Sequence, residues 1–372
     1  MSTRHGVDML EKALDILKRI EKEGFKAYIV GGFARDYYLR LDSADVDICT
    51  SASPKELKEI FTGTMLPEIN YGSVVVIYKK VRFEITTFRE DIGYSNNRTP
   101  LEIRYVDNLS DDLKRRDFVM NTLCIDSSGN YIDLLDAMHD IDEKVIRMVG
   151  SPKYRLKEDV LRILRAIRFA CVLNFKLDEE LKEYIKKYAY LLKKLSYDRK
   201  KEELERIFLS KNSKYGIKLI LDLELDKYLD LKDLEKVIIT SSPIGIWAQL
   251  NVEKIYKFTN NEIETIDKIR ELSNNFNLDN ITIYKYGSYI TTIASEIKNI
   301  DKNTVTEKYM SIPINSREEI LVTGNDMCEL LNIKPSKILN TIYEDITNKI
   351  VSLELKNEKE EILAYIEANY KV

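Results

Sequence analysis

Strand signals crowd the first third of this chain and then largely stop. Residues 27–30 form a short apolar strand running straight into Gly31-Gly32, and a second strand is expected over residues 45–49. Residues 72–78 and 81–87 read as a hairpin about Lys79-Lys80. Residues 122–126 and 131–135, split by Ser127-Ser128-Gly129-Asn130, read as another. Helices interleave with these strands. Leu10, Ala13, Leu14, Leu17 and Ile20 recur at helical spacing and stop before Gly24, and a helix over residues 33–41 follows the glycine pair. Ser53-Pro54-Lys55-Glu56 is a capping box with proline at the first helical position. Residues 89–105 are polar and turn-rich, which predicts a mobile loop. From Glu158 onward helix follows helix, with few glycines. Strands first and helices afterwards specify an α+β head joined to separate α-helical domains, and 372 residues are enough for several.

The residue inventory narrows the chemistry. With 44% hydrophobic and 32% charged residues, disorder and a fibrous fold are both excluded. The first residues, Met1-Ser2-Thr3-Arg4-His5-Gly6, lack the apolar core of a signal peptide, and no apolar run reaches the length of a membrane span. Cys49, Cys124, Cys171 and Cys328 are scattered, so neither a cysteine zinc site nor a disulfide framework is expected, and the cytoplasm is the expected compartment. Only His5 and His139 are present, too few for a multi-histidine metal centre, so His139-Asp140 is not an HD-type hydrolase motif. Any metal must rest on oxygen ligands, which suit magnesium or manganese.

Asp45-Val46-Asp47 supplies such oxygens. Side chains two apart on a strand share a face, so both carboxylates project together while Val46 packs the other way. A lone pair of this kind is ordinary surface alternation. Here it follows Gly31-Gly32-Phe33-Ala34-Arg35-Asp36, a glycine turn between strand and helix where backbone amides can approach a phosphate. The turn is neither a dinucleotide-binding fingerprint nor a P-loop.

Taken together, Gly31-Gly32-x-Ala34-Arg35-Asp36 and Asp45-x-Asp47 resemble the signature of polymerase-β-type nucleotidyltransferases, in particular the class II tRNA nucleotidyltransferase (CCA-adding enzyme)/poly(A) polymerase family. The resemblance continues through Arg115-Arg116-Asp117-Phe118-Val119-Met120-Asn121, through Gly150-Ser151-Pro152, through the stretch from Glu158-Asp159 to Phe169-Ala170, and into Glu202-Glu203-Leu204-Glu205-Arg206-Ile207. It covers about residues 25–210. It implies a polymerase-β-type head with a small mixed sheet over residues 1–140, then an all-α neck over 141–220, body over 221–305 and tail over 306–372.

By the same resemblance, Asp45 and Asp47 are the catalytic carboxylates and bind two magnesium ions, with manganese an alternative. Gly32, Arg35, Arg116, Asp159, Arg162, Arg165 and Arg168 bind nucleotide, the arginines outside the base pocket carrying the triphosphate charge. Gly31, Glu84, Asp117 and Asn121 are further candidates. Glu84, in Phe83-Glu84-Ile85-Thr86-Thr87-Phe88-Arg89, is either a third carboxylate near the metals or a surface residue, and Asp117 would hold a ribose hydroxyl.

Asp159, Arg162, Arg165 and Arg168 recur at threes in an otherwise apolar stretch, where buried charges need partners, and a nucleoside triphosphate is one such partner. Arginine only donates and carboxylate only accepts. A carboxylate at Asp159 can take the exocyclic amino group of C or A while Arg162 donates to the neighbouring ring acceptor; G and U present an oxygen there and are repelled. CTP and ATP are therefore the expected substrates, with protein acting as template.

The expected reaction is in-line attack of an RNA 3′-hydroxyl on the α-phosphate with release of pyrophosphate. Within the family, a loop over residues 89–105 of full length implies CCA addition rather than CC alone. Asn97 and Thr99 depart from the family's D-x-R-R-P, which leaves A-adding and poly(A) activity open. Thr323-Gly324-Asn325-Asp326 and Ile333-Lys334-Pro335 resemble the family's tail, with Ser336 in place of a glycine. A silent RNA-binding protein and a small-molecule nucleotidyltransferase are the rival readings. The intact Asp45/Asp47 pair argues against the first, and the long helical continuation against the second.

The expected partner is the acceptor arm and 3′ end of tRNA; no protein partner is expected. A net charge of -4 looks wrong for an RNA binder, but residues 141–220 hold 21 Lys+Arg against 12 Asp+Glu. Binding should be local, confined to one face and salt-sensitive.

Overall fold

A computed structural model describes residues 4–43, 45–62, 72–95 and 99–370. The chain divides into two units, Met1–Lys232 and Asp233–Val372. The segments read as head and neck from sequence fall in the first unit, and the tail lies in the second with most of the body.

The first unit opens with α1 (Arg4–Lys22), followed by β1 (Ala27–Val30), α2 (Gly32–Tyr38), β2 (Val46–Thr50) and α3 (Pro54–Ile60). The buried face of α1 is Met9, Ala13, Ile16, Leu17 and Ile20, one step around from the face expected, because Leu10 and Leu14 lie at its margin. Helix α3 starts as its capping box dictates: Ser53 Oγ accepts from the Glu56 amide and Glu56 accepts from the Ser53 amide. Next come β3 (Ser73–Tyr78) and β4 (Val81–Thr87), joined at Lys79 and Lys80, both at positive φ. That is the backbone a two-residue hairpin turn requires.

Among the described residues, 89–95 and 99–105 are not irregular. They make an antiparallel hairpin, β5 (Arg89–Ser95) and β6 (Thr99–Tyr105), paired from Arg89↔Tyr105 to Ser95↔Thr99. Ladder hydrogen bonds satisfy the backbone despite the polar side chains, which is why composition alone suggested a loop. Asn97 and Arg98 lie outside the described residues.

Helix α4 (Leu109–Lys114), β7 (Cys124–Ile125) and β8 (Tyr131–Ile132) complete the head, with α5 (Ala137–Asp142) and β9 (Val145–Ile146) beyond. The mixed sheet runs β3-β4-β2-β1-β7-β8, parallel only between β2 and β4. Val30, Cys49, Phe88, Leu109, Leu113 and Cys124 pack beneath it as one buried cluster. The four cysteines are free thiols. On α5, Asp140 holds Arg147 at 2.7 Å, an ordinary ion pair beside exposed His139.

The stretch around Glu158 is not one helix. Helix α6 (Pro152–Glu158) ends at Asp159, whose backbone is extended (φ -138°, ψ 103°), and α7 (Leu161–Leu173) then begins. Asp159 Oδ1 accepts from the Leu161 amide at 3.0 Å, so its side chain starts the new helix as it ends the old one. A short strand β10 (Lys176–Leu177) pairs parallel with β9, and α8 (Glu179–Tyr188), α9 (Tyr197–Phe208), α10 (Ser213–Asp222) and α11 (Asp226–Leu229) finish the unit.

The second unit is helical throughout its described residues: α12 (Pro243–Leu250), α13 (Asn260–Asn274), α14 (Asn280–Ile297), α15 (Lys302–Ser311), α16 (Gly324–Leu331), α17 (Ile338–Val351) and α18 (Lys359–Asn369), besides short turns of 3-10 helix. Gly287 breaks α14 at φ 75°. Thr323 caps α16 in a capping box with Asp326, which also takes Lys359 Nζ at 2.6 Å. Among the described residues, no helix is long and apolar enough to cross a membrane.

Candidate active site

A cleft of about 400 Å³ in the first unit gathers the motifs. Gly31, Gly32, Arg35, Asp47, Asp91, Arg115, Arg116, Asp117, Asn121, Asp159, Arg162, Arg165 and Phe169 line it. Of the residues expected from sequence, Asp45, Glu84 and Arg168 are not among the lining.

The acidic edge is built by the sheet. Val30 on β1 pairs with Asp47 on β2, and Asp47 pairs in register with Glu84 on β4. Asp45 stands just before β2 and is solvent-exposed. Partial loss of hydration pushes the Asp47 carboxyl above its usual range; Arg116 pulls it down, while Glu84 and Asp45 push it further up. Gly31, at φ 82°, leaves room beside this edge. A Cβ there would sit 3.6 Å from Asp47 Oδ2 and 3.7 Å from an Arg116 terminal nitrogen. Among the described residues, no three His, Cys, Asp or Glu side chains form a ready-made metal cluster.

The floor is a chain of alternating donors and acceptors. Arg35 donates to Asp36 Oδ1 at 2.9 and 2.7 Å and to Asn121 Oδ1 at 2.5 Å. Asn121 Nδ2 donates to Asp117 Oδ1 at 3.2 Å, which also accepts from the Phe118 amide at 2.8 Å. Arg165 closes the chain, with Nε on Asp117 Oδ2 at 2.8 Å and Nη2 on the same oxygen. Burial alone would raise the Asp117 carboxyl, yet Arg165, Asn121 and the Phe118 amide bring it down to about 2.

The opposite wall comes from α4 and the two helices around Asp159. Arg116 Nη2 donates to Asp112 Oδ2 at 3.0 Å, and its buried Nε has no hydrogen-bond partner. Arg155 donates to the carbonyls of Arg115 and Arg116 at 2.5 and 2.9 Å, tying α6 to the Arg-Arg-Asp motif. Arg162, 5% exposed, donates to Glu158 at 3.2 Å and to the Arg155 carbonyl at 2.8 Å.

The arginines of α7, of which only Arg162 is fully buried, therefore have protein partners already. Arg165 holds Asp117 and Arg162 holds Glu158, while Arg168 is turned to Glu203 at 2.7 Å and lies against the Phe169 ring. Of the three, Arg168 is the one outside the cleft's lining, although the Phe169 ring it lies against is part of that lining. The sequence reading also passed over Asp112, Arg155 and Glu158. Asp112 was findable: it precedes Arg115 and Arg116 by three and four residues, the spacing of ion pairs on one helix.

Three family models match the chain in sequence order. The poly A polymerase head domain covers residues 27–147, the RNA- and SrmB-binding site of polymerase A covers 174–234, and tRNA nucleotidyltransferase domain 2 covers 249–366. The chain is 35% identical over 385 residues to a CCA-adding enzyme of Ligilactobacillus salivarius, a match spanning 95% of both chains. The chain belongs to the class II tRNA nucleotidyltransferase/poly(A) polymerase family. A CCA-adding enzyme of Lactococcus lactis matches at 34% identity over 95% of each chain. Among solved structures, the Bacillus stearothermophilus CCA-adding enzyme in complex with CTP superposes with a TM-score of 0.81 at 27% identity, over 96% of both chains. The Thermotoga maritima CCA-adding enzyme complexed with tRNA shares the fold, with a TM-score of 0.69 at 19% identity over 100% of this chain and 97% of that one. The family's head and helical continuation thus extend past residue 210, through segments where no motif was legible.

Proposed function

We propose that this chain adds C, C and A to the 3′ end of tRNA, taking nucleotides from CTP and ATP and releasing pyrophosphate. The observation that carries the proposal is the whole-length likeness to CCA-adding enzymes, together with a cleft that sets an acidic sheet edge against a row of arginines.

Asp45 and Asp47, with Glu84 beside Asp47, supply oxygen ligands. Magnesium commonly binds through one or two carboxylates and completes its octahedron with water and substrate phosphates, so a site without a three-side-chain cluster fits it. When bound there, two magnesium ions, or manganese, would lower the pKa of the 3′-hydroxyl and orient the triphosphate. Arg116, with an unsatisfied Nε, and Arg35 and Arg165 on the floor would hold phosphate oxygens. Asp117 would accept a ribose hydroxyl, and Asn121 would keep Arg35 aimed. Asp159 and Arg162 would read the base edge, the carboxylate accepting the amino group of C or A and the guanidinium donating beside it.

The deciding assay supplies tRNA lacking its 3′ end with labelled CTP and ATP and sizes the products. Three added nucleotides, two C and then one A, are expected. A product extended only by A would make it an A-adding enzyme or poly(A) polymerase of the same family. No incorporation would overturn the assignment.

A further inference from the structure

Asp112 has no role in the chemistry above, yet its carboxylate gathers donors from separate stretches of chain. It is fully buried on α4. Oδ1 accepts from Arg115 Nε at 2.9 Å and from the Arg89 amide at 3.3 Å, and Oδ2 accepts from Arg116 Nη2 at 3.0 Å. Burial alone would raise this carboxyl, but Arg116 and Arg115 hold it below the usual range, so it is a charged acceptor inside the fold.

The two oxygens face different tasks. Arg89 is the first residue of β5, so the Oδ1 side anchors the root of the β5–β6 hairpin. The Oδ2 side aims Arg116 through Nη2, while the buried Arg116 Nε has no hydrogen-bond partner. Asp91, two residues into the same strand, lines the cleft, so the hairpin root and Arg116 border the same space. We propose that Asp112 is a positioning residue that couples the root of the β5–β6 hairpin to Arg116, so that the hairpin's setting and the grip on the nucleotide's phosphates change together. The proposal rests on the reading that Arg116 binds the triphosphate.

The chemistry is demanding. A carboxylate accepts on both oxygens, whereas a carboxamide accepts on one side and donates on the other. Asp112→Asn must therefore set an N–H against either Arg116 or the Arg115/Arg89 pair. Coupling is also reciprocal: if the hairpin root influences nucleotide affinity, nucleotide must influence the hairpin root.

The test measures equilibrium binding of CTP to the full chain, with hydrogen exchange read at the Arg89 amide. Wild-type protein is measured first; if it binds neither CTP nor ATP, the functional reading fails before this one is reached. Given wild-type binding, Asp112→Asn should weaken CTP about tenfold. The double variant Asp112→Asn/Arg116→Ala should be no weaker than Arg116→Ala alone. Wild-type affinity in Asp112→Asn, or losses that multiply in the double variant, would overturn the coupling. Should Asp112→Asn not fold, exchange decides. Saturating CTP should slow exchange at Arg89 in the wild type but not in Arg116→Ala, and equal slowing in both refutes the proposal.

Discussion

Asp47 on β2 stands in register with Glu84 on the parallel strand β4, so two carboxylates share one face of the sheet at the edge of the cleft. Burial is the main reason the Asp47 carboxyl lies above its usual range; Arg116 draws it down by more than Glu84 pushes it up. An arrangement of this kind invites a cation. Asp47→Ala or Asp45→Ala should lower nucleotide incorporation by roughly a thousandfold or more. Glu84→Gln should fall between those variants and wild type if it helps hold the ion, and should match wild type if it does not. Single-turnover incorporation of labelled CTP measures all three.

The Asp117 carboxyl lies at about 2, against an ordinary 3.8. A depressed folded pKa contributes stability that is complete above the ordinary value and drains away as pH falls toward the folded one. Wild type should therefore exceed Asp117→Asn in stability by a constant margin above about pH 5, and the gap should close between about pH 4 and pH 2. Urea denaturation across that range reads it directly. A gap that widens with acidity would contradict the ion pair with Arg165.

Asp159→Ala should blunt base choice. Incorporation of C and A should weaken while GTP and UTP gain relative to them, measured as kcat/KM for the four nucleotides. Unchanged selectivity would remove Asp159 from base recognition.

Gly31 occupies a left-handed backbone region, so Gly31→Ala should cost about 1–2 kcal/mol in stability. It would also place a methyl group between Asp47 and Arg116, and the KM for CTP should rise. Thermal denaturation and steady-state kinetics separate the two effects.

If the basic excess of residues 141–220 meets the RNA phosphates, affinity for tRNA should fall steeply with salt, by at least about tenfold between 50 and 200 mM. Thermal stability should move little over the same range. A flat salt response would point to a different RNA-binding face.

Much of the head was legible because its signals are local. The glycine turn before α2, the Ser53 capping box and the Lys79-Lys80 turn each follow from neighbours in sequence and stand where expected, whereas β2 begins one residue later than expected and leaves Asp45 outside it. What escaped was decided by distant partners. Strands β5 and β6 are paired by a backbone ladder that polar composition does not announce. Arg168 has Glu203, thirty-five residues on, as its partner, which no local spacing announces. The break at Asp159 hides inside a periodic pattern, since Arg162, Arg165 and Arg168 keep helical spacing whether or not the helix began at Glu158.

The cleft is lined by five arginines and four aspartates, so it is almost electrically balanced before any substrate arrives. Arg35 already answers Asp36, and Arg165 answers Asp117. A bare triphosphate would bring several negative charges into a chamber holding a surplus of about one positive charge. The chamber is therefore matched to a nucleotide that carries its own counter-ions. A triphosphate accompanied by cations meets less uncompensated charge there than a bare one does.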